Sequence, residues 1–355
     1  MTHSPIAASL AAPQHGPRPL PLFLEILRSE TAASPDRQRA ALAGLAAYQA
    51  AERAPPPPRP PVVAHAGRVA LRDYGGDGVP VLFVPSLINP PFILDLAEDR
   101  SLLRWLRGQG LRVLLVDWGT PAPGAMETLD DHVASQLGPL IEGLDQPPVL
   151  VGYCLGGTIA AAAACLTRVA GLAMLAAPWH FSRFGEAALA RIAALWAQAK
   201  GACAQLGLVP MEVLQAGFWQ LDPARTIAKY ERFATLDPAG AAARDFVALE
   251  DWANAGAPLS YAAGAQMFDA LFAADLPGSG AWRIGGRAID PHRLTCPTID
   301  IVSRTDRIVP AASAIGFAHR LEIAAGHVGM VVGSQARAAL WQPLADWLNP
   351  IVRAR

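Results

Sequence analysis

The sequence has few charged side chains and no surplus of either sign. Asp, Glu, Lys and Arg make up 17% of the 355 residues, and the formal net charge is −1. A polyanion such as nucleic acid is held largely by excess positive charge, which this chain lacks. We therefore predict no nucleic-acid partner. With 52% hydrophobic residues, the chain is long enough for one large core or two smaller ones.

Long uninterrupted apolar runs are also missing. The best candidate, residues 158–178, contains Thr167 and Arg168. A membrane-spanning helix needs about 20 apolar residues with few charges, so we expect no membrane span. The first residues have a short apolar stretch without a preceding basic segment, and no secretory signal peptide is predicted.

Cysteine is scarce. The four cysteines, at positions 154, 165, 203 and 296, form no C-x-x-C motif and have no zinc-like spacing with histidine. Neither a disulfide framework nor a metal site is predicted, and no cofactor is expected. Free thiols fit a reducing compartment, so we expect a cytoplasmic protein.

Proline and apolar patterning divide the chain. RAPPPPRPP, at residues 53–61, forbids helix and favours extended chain, so residues 1–61 are predicted to form an arm and linker. One or two amphipathic helices are expected between Pro19 and Leu45. From Val62 onward, apolar strands alternate with helices, which is typical of an α/β fold with a mostly parallel sheet. We predict a core at residues 62–180 and 281–355, with a helical cap insertion at residues 181–280.

The predicted strands of the core are apolar and mostly short. They are VALRDYG, VPVLFVPSL, LRVLLVDWG, PPVLVGY, VAGLAMLAAP, a strand in PTIDIVSRTDRIVP, and a last strand in LEIAAGHVGM. Apolar residues on both faces of a strand indicate that helices cover both sides of the sheet. A helix is predicted from Ala311 to His319, and another at the end of the chain.

Cys154 lies between a predicted strand and a predicted helix. Gly152-Tyr153-Cys154-Leu155-Gly156 fits the pattern G-x-nucleophile-x-G, in which glycines allow a sharp turn that presents the nucleophile at a strand end. Serine is usual there, whereas this chain has a thiol. A helix N-terminus favours the thiolate. The alternative interpretation is a small core cysteine that follows a strand.

A nucleophile of this type requires an acid and then a histidine later in the chain. Asp306 follows a predicted buried strand, and His327 lies in a glycine-flanked loop before the last helix. Asp300 lies within the strand and is interpreted as structural. We predict a catalytic triad of Cys154, Asp306 and His327. The remaining histidines near the core do not fit this order; they are His65, His132, His180, His292 and His319.

Acyl transfer also needs hydrogen-bond donors for the oxyanion that develops during the reaction. The backbone N–H of Leu155, directly after the nucleophile, is one candidate. Leu87 is the other, by analogy with the loop that supplies the second donor in enzymes with this kind of turn. Asn89 nearby is interpreted as a turn residue.

Four segments match one known family in order along the chain. They are INPPFILDLAEDRSLLRWLRGQGLRVLLVDWGTP, LVGYCLGGT, RIGGRAIDPHRLTCPTIDIVSRTDRIVPAAS and AGHVGMVVGSQA. They resemble the polyhydroxyalkanoate synthases, especially the short type that works with a second subunit. The resemblance covers roughly residues 71–348. It implies an α/β-hydrolase fold with a helical cap, and a site made of Cys154, His327 and Asp306.

The resemblance also implies a reaction and partners. The reaction is polymerisation of (R)-3-hydroxyacyl-CoA into polyester with release of CoA, so the CoA thioester is a substrate and not a cofactor. A second synthase subunit, a homodimer or hetero-oligomer, and a location at the polymer granule surface are implied as well. Two features depart from the family: the proline-rich arm, and a short segment between Asp306 and His327. Both bear on partner binding more than on chemistry.

Water must be kept from an acyl-thioester intermediate, because otherwise it is hydrolysed. The aromatic side chains of the insertion are candidates for this shield, and ordinary core packing is the alternative. They are Trp196, Phe218, Trp219, Trp252 and Phe268.

Two other functions stay open. One is a thioesterase, or a polyester or lipid esterase, of the same fold, although cysteine in place of serine argues against an ordinary esterase. The other is a non-catalytic granule-associated binding protein, against which the intact cysteine, histidine and aspartate argue.

Overall fold

The computed structural model describes residues 15–353, and contacts divide the chain into two compact units. One unit joins the N-terminal residues up to Ala54 with Asp222–Asn254, and the other contains Pro55–Leu221 and Ala255–Arg355. This division differs from the predicted arm, core and cap. The difference arises because the middle of the helical insertion packs with the N-terminal helices.

The larger unit is built on a sheet of eight strands. They are β1 (Val62–Ala66), β2 (Val69–Asp73), β3 (Asp77–Val84), β4 (Leu111–Asp117), β5 (Val149–Tyr153), β6 (Gly171–Leu175), β7 (Thr298–Ser303) and β8 (Arg320–Ile323). Their order across the sheet is β1-β2-β4-β3-β5-β6-β7-β8. Strand β2 is antiparallel to both neighbours, and the other pairs are parallel. The predicted mostly parallel sheet is confirmed.

Helices precede the sheet, lie between its strands, form most of the insertion and follow the last strand. They are α1 (Leu20–Glu30), α2 (Pro35–Ala50), α3 (Leu102–Gly108), α4 (Leu129–Asp131), α5 (Gly138–Glu142), α6 (Leu155–Leu166), α7 (Glu186–Leu206), α8 (Met211–Leu221), α9 (Pro223–Phe233), α10 (Ala241–Asn254), α11 (Tyr261–Gln266), α12 (Gly329–Val332) and α13 (Gln342–Arg353). Wider π-helical turns join α4 to α5, extend α11 and precede α13. Across residues 15–353, no helix is both long enough and apolar enough to cross a membrane.

The helix predicted from Ala311 to His319 is wrong. Only a 3-10 turn, Ala311–Ser313, forms there, and Gly316 has a φ of +92°. The buried carboxylate of Asp300 accepts the amide N–H groups of Gly316 and Phe317, at 2.7 and 2.8 Å. These amides are therefore bound to a side chain in place of a helical carbonyl. The contact agrees with the structural interpretation of Asp300, and burial raises the pKa of this carboxyl.

The smaller unit, called the helical unit below, contains α1, α2, α9 and α10. Its core is aromatic: the rings of Phe23, Tyr48 and Phe246 meet Tyr230 edge-on, with centroids 4.9, 6.0 and 5.4 Å away. Helix α2 approaches α9 closely at Gly44, where an added Cβ would lie 2.0 Å from the Tyr230 carbonyl oxygen. Glycine is needed here because any side chain would separate the two helices.

Two carboxylates complete the packing of the helical unit. Glu250 accepts hydrogen bonds from the Tyr230 hydroxyl at 2.8 Å and from the Lys229 ammonium at 2.6 Å. Asp251 accepts the Tyr48 hydroxyl at 2.6 Å. Polar groups in a core are tolerated when they are paired in this way.

Candidate active site

Cys154 lies in the turn between β5 and α6, in a conformation that residues with side chains rarely adopt. Its φ and ψ are +55° and −135°. Such a conformation costs about 1–3 kcal/mol and persists only where surrounding contacts hold it. Here the Cys154 amide donates to the Leu175 carbonyl at 3.0 Å, and the Cys154 carbonyl accepts the Gly157 amide at 2.9 Å. The half-buried thiol is therefore held at the carboxyl end of β5 and the N-terminus of α6.

Glycines around Cys154 let strand, helix and loop touch through their backbones. A Cβ at Gly152 would lie 2.3 Å from the Cα of Gly157, and one at Gly157 would lie 2.2 Å from the Cβ of Ala177. A Cβ at Gly156 would lie 2.2 Å from the Pro85 carbonyl oxygen, in the loop after β3. No side chain fits these gaps, which explains why the turn needs glycine at each position.

His327 and Asp306 form a buried pair beside this turn. His327 Nδ1 donates to Asp306 Oδ2 at 2.6 Å, with the imidazole 7% exposed and the carboxylate fully buried. The other carboxylate oxygen accepts the amides of Ile308 and Val309, at 2.7 and 3.0 Å. Asp306 is thus fixed by its own loop, and it fixes the orientation of the imidazole.

The protonation of His327 depends on Cys154. Burial by itself would lower the pKa of His327, but the charge of Cys154, hydrogen bonds with Asp306 and Cys154, and the charge of Asp306 together raise it to about 10. Opposite charges at hydrogen-bond distance favour the ionised forms of both partners. The structure therefore brings the three predicted residues together, in an arrangement that favours the imidazolium form of His327. Their catalytic roles stay predictions.

The loop after β3 lies against the start of α6. Leu87 is buried in this loop, and the Trp118 indole N–H donates to the Pro85 carbonyl at 2.9 Å. The Ser86 hydroxyl accepts the Ile88 amide at 3.1 Å. Leu155 is the first residue of α6, where backbone N–H groups have no partner within the helix. The assignment of Leu155 and Leu87 as oxyanion donors stays a prediction.

Part of the helical insertion reaches this loop. A Cβ at Gly256 would lie 2.4 Å from the Met211 side chain and 3.0 Å from the Ile88 carbonyl oxygen. Trp196 and Phe268 stack, with ring centroids 4.5 Å apart. Of the aromatic residues predicted to shield the site, Trp196, Trp219 and Phe268 are buried in the larger unit, Phe218 there is half-buried, and Trp252 belongs to the helical unit.

Two hydroxyl groups that hold the histidine loop were missed by sequence reasoning. The Tyr153 hydroxyl donates to the His327 carbonyl at 3.3 Å, and its ring stacks on the imidazole with centroids 5.1 Å apart. The Ser303 hydroxyl donates to the Ala325 carbonyl. Tyr153 could have been found from the sequence, because it directly precedes the nucleophile in the motif. Ser303 could not, since serine at a strand end is common.

Other polar groups near the end of β4 pair with one another. Asp117 accepts Arg72 Nε at 2.8 Å. His132 is fully buried; its Nδ1 donates to the Thr128 carbonyl at 2.6 Å, and its Nε2 accepts Arg68 at 2.9 Å. Burial lowers the pKa of His132. In the described part of the chain, no group of three or more His, Cys, Asp or Glu side chains is placed to hold a metal ion.

Comparison with known proteins agrees with this architecture. Residues 81–341 match the sequence model of the alpha/beta hydrolase family. The chain belongs to this family. A carboxylesterase structure from Nitrososphaera gargenis superposes with a TM-score of 0.50 at 17% identity, over 83% of this chain and 100% of that one. At this identity the likeness supports the alpha/beta hydrolase fold alone.

Three proteins of similar sequence are poly(3-hydroxyalkanoate) polymerase subunits. The chain is 30% identical to the poly(3-hydroxyalkanoate) polymerase subunit PhaC of Haloferax mediterranei, over 76% of this chain and 58% of that protein. It is 28% identical to the protein of the same name from Haloarcula marismortui, over 81% of this chain and 64% of that protein. The corresponding Synechocystis protein is 28% identical over 76% of this chain and 78% of its own length. The resemblance to polyhydroxyalkanoate synthases is confirmed, although the chain spans less than two thirds of the first two relatives.

Proposed function

We propose that this alpha/beta hydrolase polymerises (R)-3-hydroxyacyl-CoA into polyhydroxyalkanoate and releases CoA. The observation that carries the proposal is a cysteine on the nucleophile turn, whose charge raises the pKa of a buried histidine paired with aspartate, in a chain similar to poly(3-hydroxyalkanoate) polymerase subunits. A thiolate suits this chemistry, because exchange of one thioester for another is nearly neutral in free energy. The acyl group stays activated on the enzyme.

The first half of the reaction loads the enzyme. Cys154 Sγ attacks the thioester carbonyl carbon of the substrate, and a new C–S bond to Cys154 forms. The bond between the acyl carbon and the CoA sulfur breaks, and the CoA thiolate takes the proton of the His327 imidazolium. The oxyanion formed on the way accepts hydrogen bonds from the backbone N–H groups of Leu155 and Leu87.

The second half transfers the acyl group to an alcohol. The 3-hydroxyl oxygen of a growing chain or of another hydroxyacyl unit attacks the acyl carbon on Cys154. An ester bond forms, the bond to Cys154 Sγ breaks, and neutral His327 takes the hydroxyl proton. This restores the thiolate and imidazolium and closes the cycle.

Asp306 acts in this scheme by orienting His327 and stabilising its charged form. One carboxylate oxygen accepts the imidazole and the other accepts two backbone amides, so both are engaged. This supports orientation over direct deprotonation of the hydroxyl by Asp306. The Asp306 side chain is also fully buried, whereas a base for the incoming hydroxyl has to be reached by the substrate.

The product formed from (R)-3-hydroxybutyryl-CoA by the purified full-length chain tests the proposal. CoA release, acylation of the Cys154 peptide by mass spectrometry, and polymer after precipitation and methanolysis are followed together. Polymer with acylated Cys154 is the expected result. Free 3-hydroxybutyrate in amounts equal to CoA would mean that water attacks the acyl-enzyme and that the chain is a thioesterase. No acylation and no CoA release would contradict an enzymatic role.

Two variants serve as controls. Cys154→Ala should form neither acyl-enzyme nor polymer. Cys154→Ser should retain ester hydrolysis if the chain is an esterase, and should lose polymer formation if the thioester intermediate is essential.

A further inference from the structure

Tyr153 contacts His327 at two places. Its hydroxyl donates to the His327 main-chain carbonyl at 3.3 Å, and its ring stacks on the imidazole, with an angle of 23° between the ring planes. The side chain is 2% exposed. Its backbone is joined directly to Cys154, so one residue connects the thiol to the imidazole through a covalent and a non-covalent link.

We infer that Tyr153 is a positioning residue, which fixes the imidazole of His327 relative to the thiol of Cys154 and favours the charged pair. The inference deepens the proposed function but concerns only the Cys154–His327 pair. His327 is otherwise oriented by Asp306, which fixes one edge of the ring but not its tilt. The face of Tyr153 restricts that tilt.

The Tyr153 ring also has an electrostatic effect. Aromatic faces attract cations within about 6 Å of the ring centroid, and the two centroids here are 5.1 Å apart. The stacked ring therefore stabilises imidazolium more than imidazole. Burial raises the pKa of the Tyr153 phenol well above its usual value, so the hydroxyl stays a donor at working pH.

The test measures the reactivity of the Cys154 thiol without any acyl substrate. Its outcome is therefore independent of the proposed polymerase activity. Iodoacetamide alkylation of the Cys154 peptide is followed by mass spectrometry from pH 5 to 10, in the wild type and in Tyr153→Phe, Tyr153→Met and Tyr153→Leu. Cys165, a half-buried thiol whose pKa is raised to about 11 by desolvation, is the internal control in each protein. Thermal melting shows which variants fold.

Tyr153→Phe keeps the ring and loses the hydrogen bond, so alkylation at pH 7 should fall about two- to fivefold. Tyr153→Met and Tyr153→Leu lose both contacts. We expect a loss of about tenfold or more, with the pH midpoint of alkylation shifted upward. Because Met and Leu also cost more stability than Phe at a buried position, the melting temperatures of the variants separate slower alkylation from loss of folding.

Wild-type rates and midpoints in folded Phe and Met or Leu variants would overturn the inference. If neither aliphatic variant folds, Tyr153→Phe decides, since a rate equal to wild type would remove the role of the hydroxyl. The outcome does not depend on the product of the enzyme. A thioesterase with the same Cys154–His327 pair would give the same alkylation profile.

Discussion

Backbone meets backbone around Cys154, whereas aromatic rings fill the space between helices in the helical unit. Gly152, Gly156 and Gly157 bring β5, α6 and the loop after β3 into direct contact. In the helical unit, Tyr230 is surrounded by other rings, and only Gly44 allows a comparably close approach. The nucleophile turn therefore depends on glycines close together in the chain, whereas the core of the helical unit depends on contacts between residues far apart in the chain. Substitutions in the site should alter chemistry, whereas substitutions in the helical unit should alter stability alone.

The largest effect is expected from removing the thiol. Cys154→Ala should lower product formation by about 10⁴-fold or more, because no other group in the site can carry the acyl intermediate. The rate of CoA release measures this. Cys165→Ala is the matched control, a free cysteine at the opposite end of α6, and should stay near wild type. Substantial CoA release by Cys154→Ala would contradict the mechanism.

Removing the imidazole should have the next largest effect. His327→Ala should lower kcat by about 100- to 10,000-fold, since proton transfer by a positioned base contributes that much. His319→Ala, an exposed histidine just before β8, is the control. A loss below tenfold for His327→Ala would mean that another group moves the proton.

Cys154 and His327, together with Asp306, were predictable for a physical reason. The nucleophile turn needs glycines at fixed spacing, and the acid and histidine must follow strands whose carboxyl ends meet at one edge of the sheet. Local pattern therefore predicted Cys154, Asp306 and His327, which lie together in the structure, and a mostly parallel sheet. The same reasoning predicted a helix directly after Cys154, where α6 forms.

The helical unit could not be predicted in this way. Gly44 and Tyr230 contact each other, but nothing near either residue indicates the other. The prediction from Ala311 to His319 failed because a buried carboxylate from β7 binds the amides of Gly316 and Phe317. Tertiary contacts of this kind override local helix propensity.

The dependence of stability on pH should distinguish the buried Asp306–His327 pair from ion pairs elsewhere in the chain. The folded pKa of His327, about 10, lies above the value of about 6.5 for an unfolded chain. Its stabilising contribution is therefore complete below pH 6.5 and is lost as the pH rises toward 10, by a few kcal/mol. Asp306→Asn removes a hydrogen bond and a charge that raise the pKa of His327. The free energy of unfolding of this variant should therefore fall less between pH 6.5 and 10 than that of the wild type. Urea unfolding at pH 6 to 10 measures the difference between the two proteins.

An exposed carboxylate gives the control for that measurement. Asp145→Asn alters a largely exposed pair with Arg112, so its stability should fall with pH in parallel with the wild type. Parallel curves for Asp306→Asn and wild type would show that Asp306 does not raise the pKa of His327.

Two glycine substitutions compare the effect of an added methyl group at the nucleophile turn with its effect in the helical unit. An added Cβ would lie 2.2 Å from Ala177 Cβ in Gly157→Ala, and 2.0 Å from the Tyr230 carbonyl oxygen in Gly44→Ala. Each should lower the free energy of unfolding by about 1–3 kcal/mol or more. Gly157→Ala should in addition slow Cys154 alkylation, because α6 carries the thiol, whereas Gly44→Ala should leave it unchanged. Gly201→Ala, in α7 with open space around it, is the control. Slower alkylation in Gly44→Ala would show that the thiol depends on the helical unit.

The smallest effects are expected from two carboxylates within the helical unit. Glu250 is 9% exposed and accepts both the Tyr230 hydroxyl and Lys229, whereas Glu231 is 20% exposed and pairs with Arg37, itself 43% exposed. Glu250→Gln should cost about 1–3 kcal/mol, because a buried hydroxyl and a cation lose a charged acceptor. Glu231→Gln should cost less than about 1 kcal/mol, since solvent and salt screen an exposed pair. Urea unfolding at low and high salt measures both, and salt should reduce only the Glu231 effect. Equal costs would mean that the contacts of Glu250 stabilise the helical unit no more than the surface pair does.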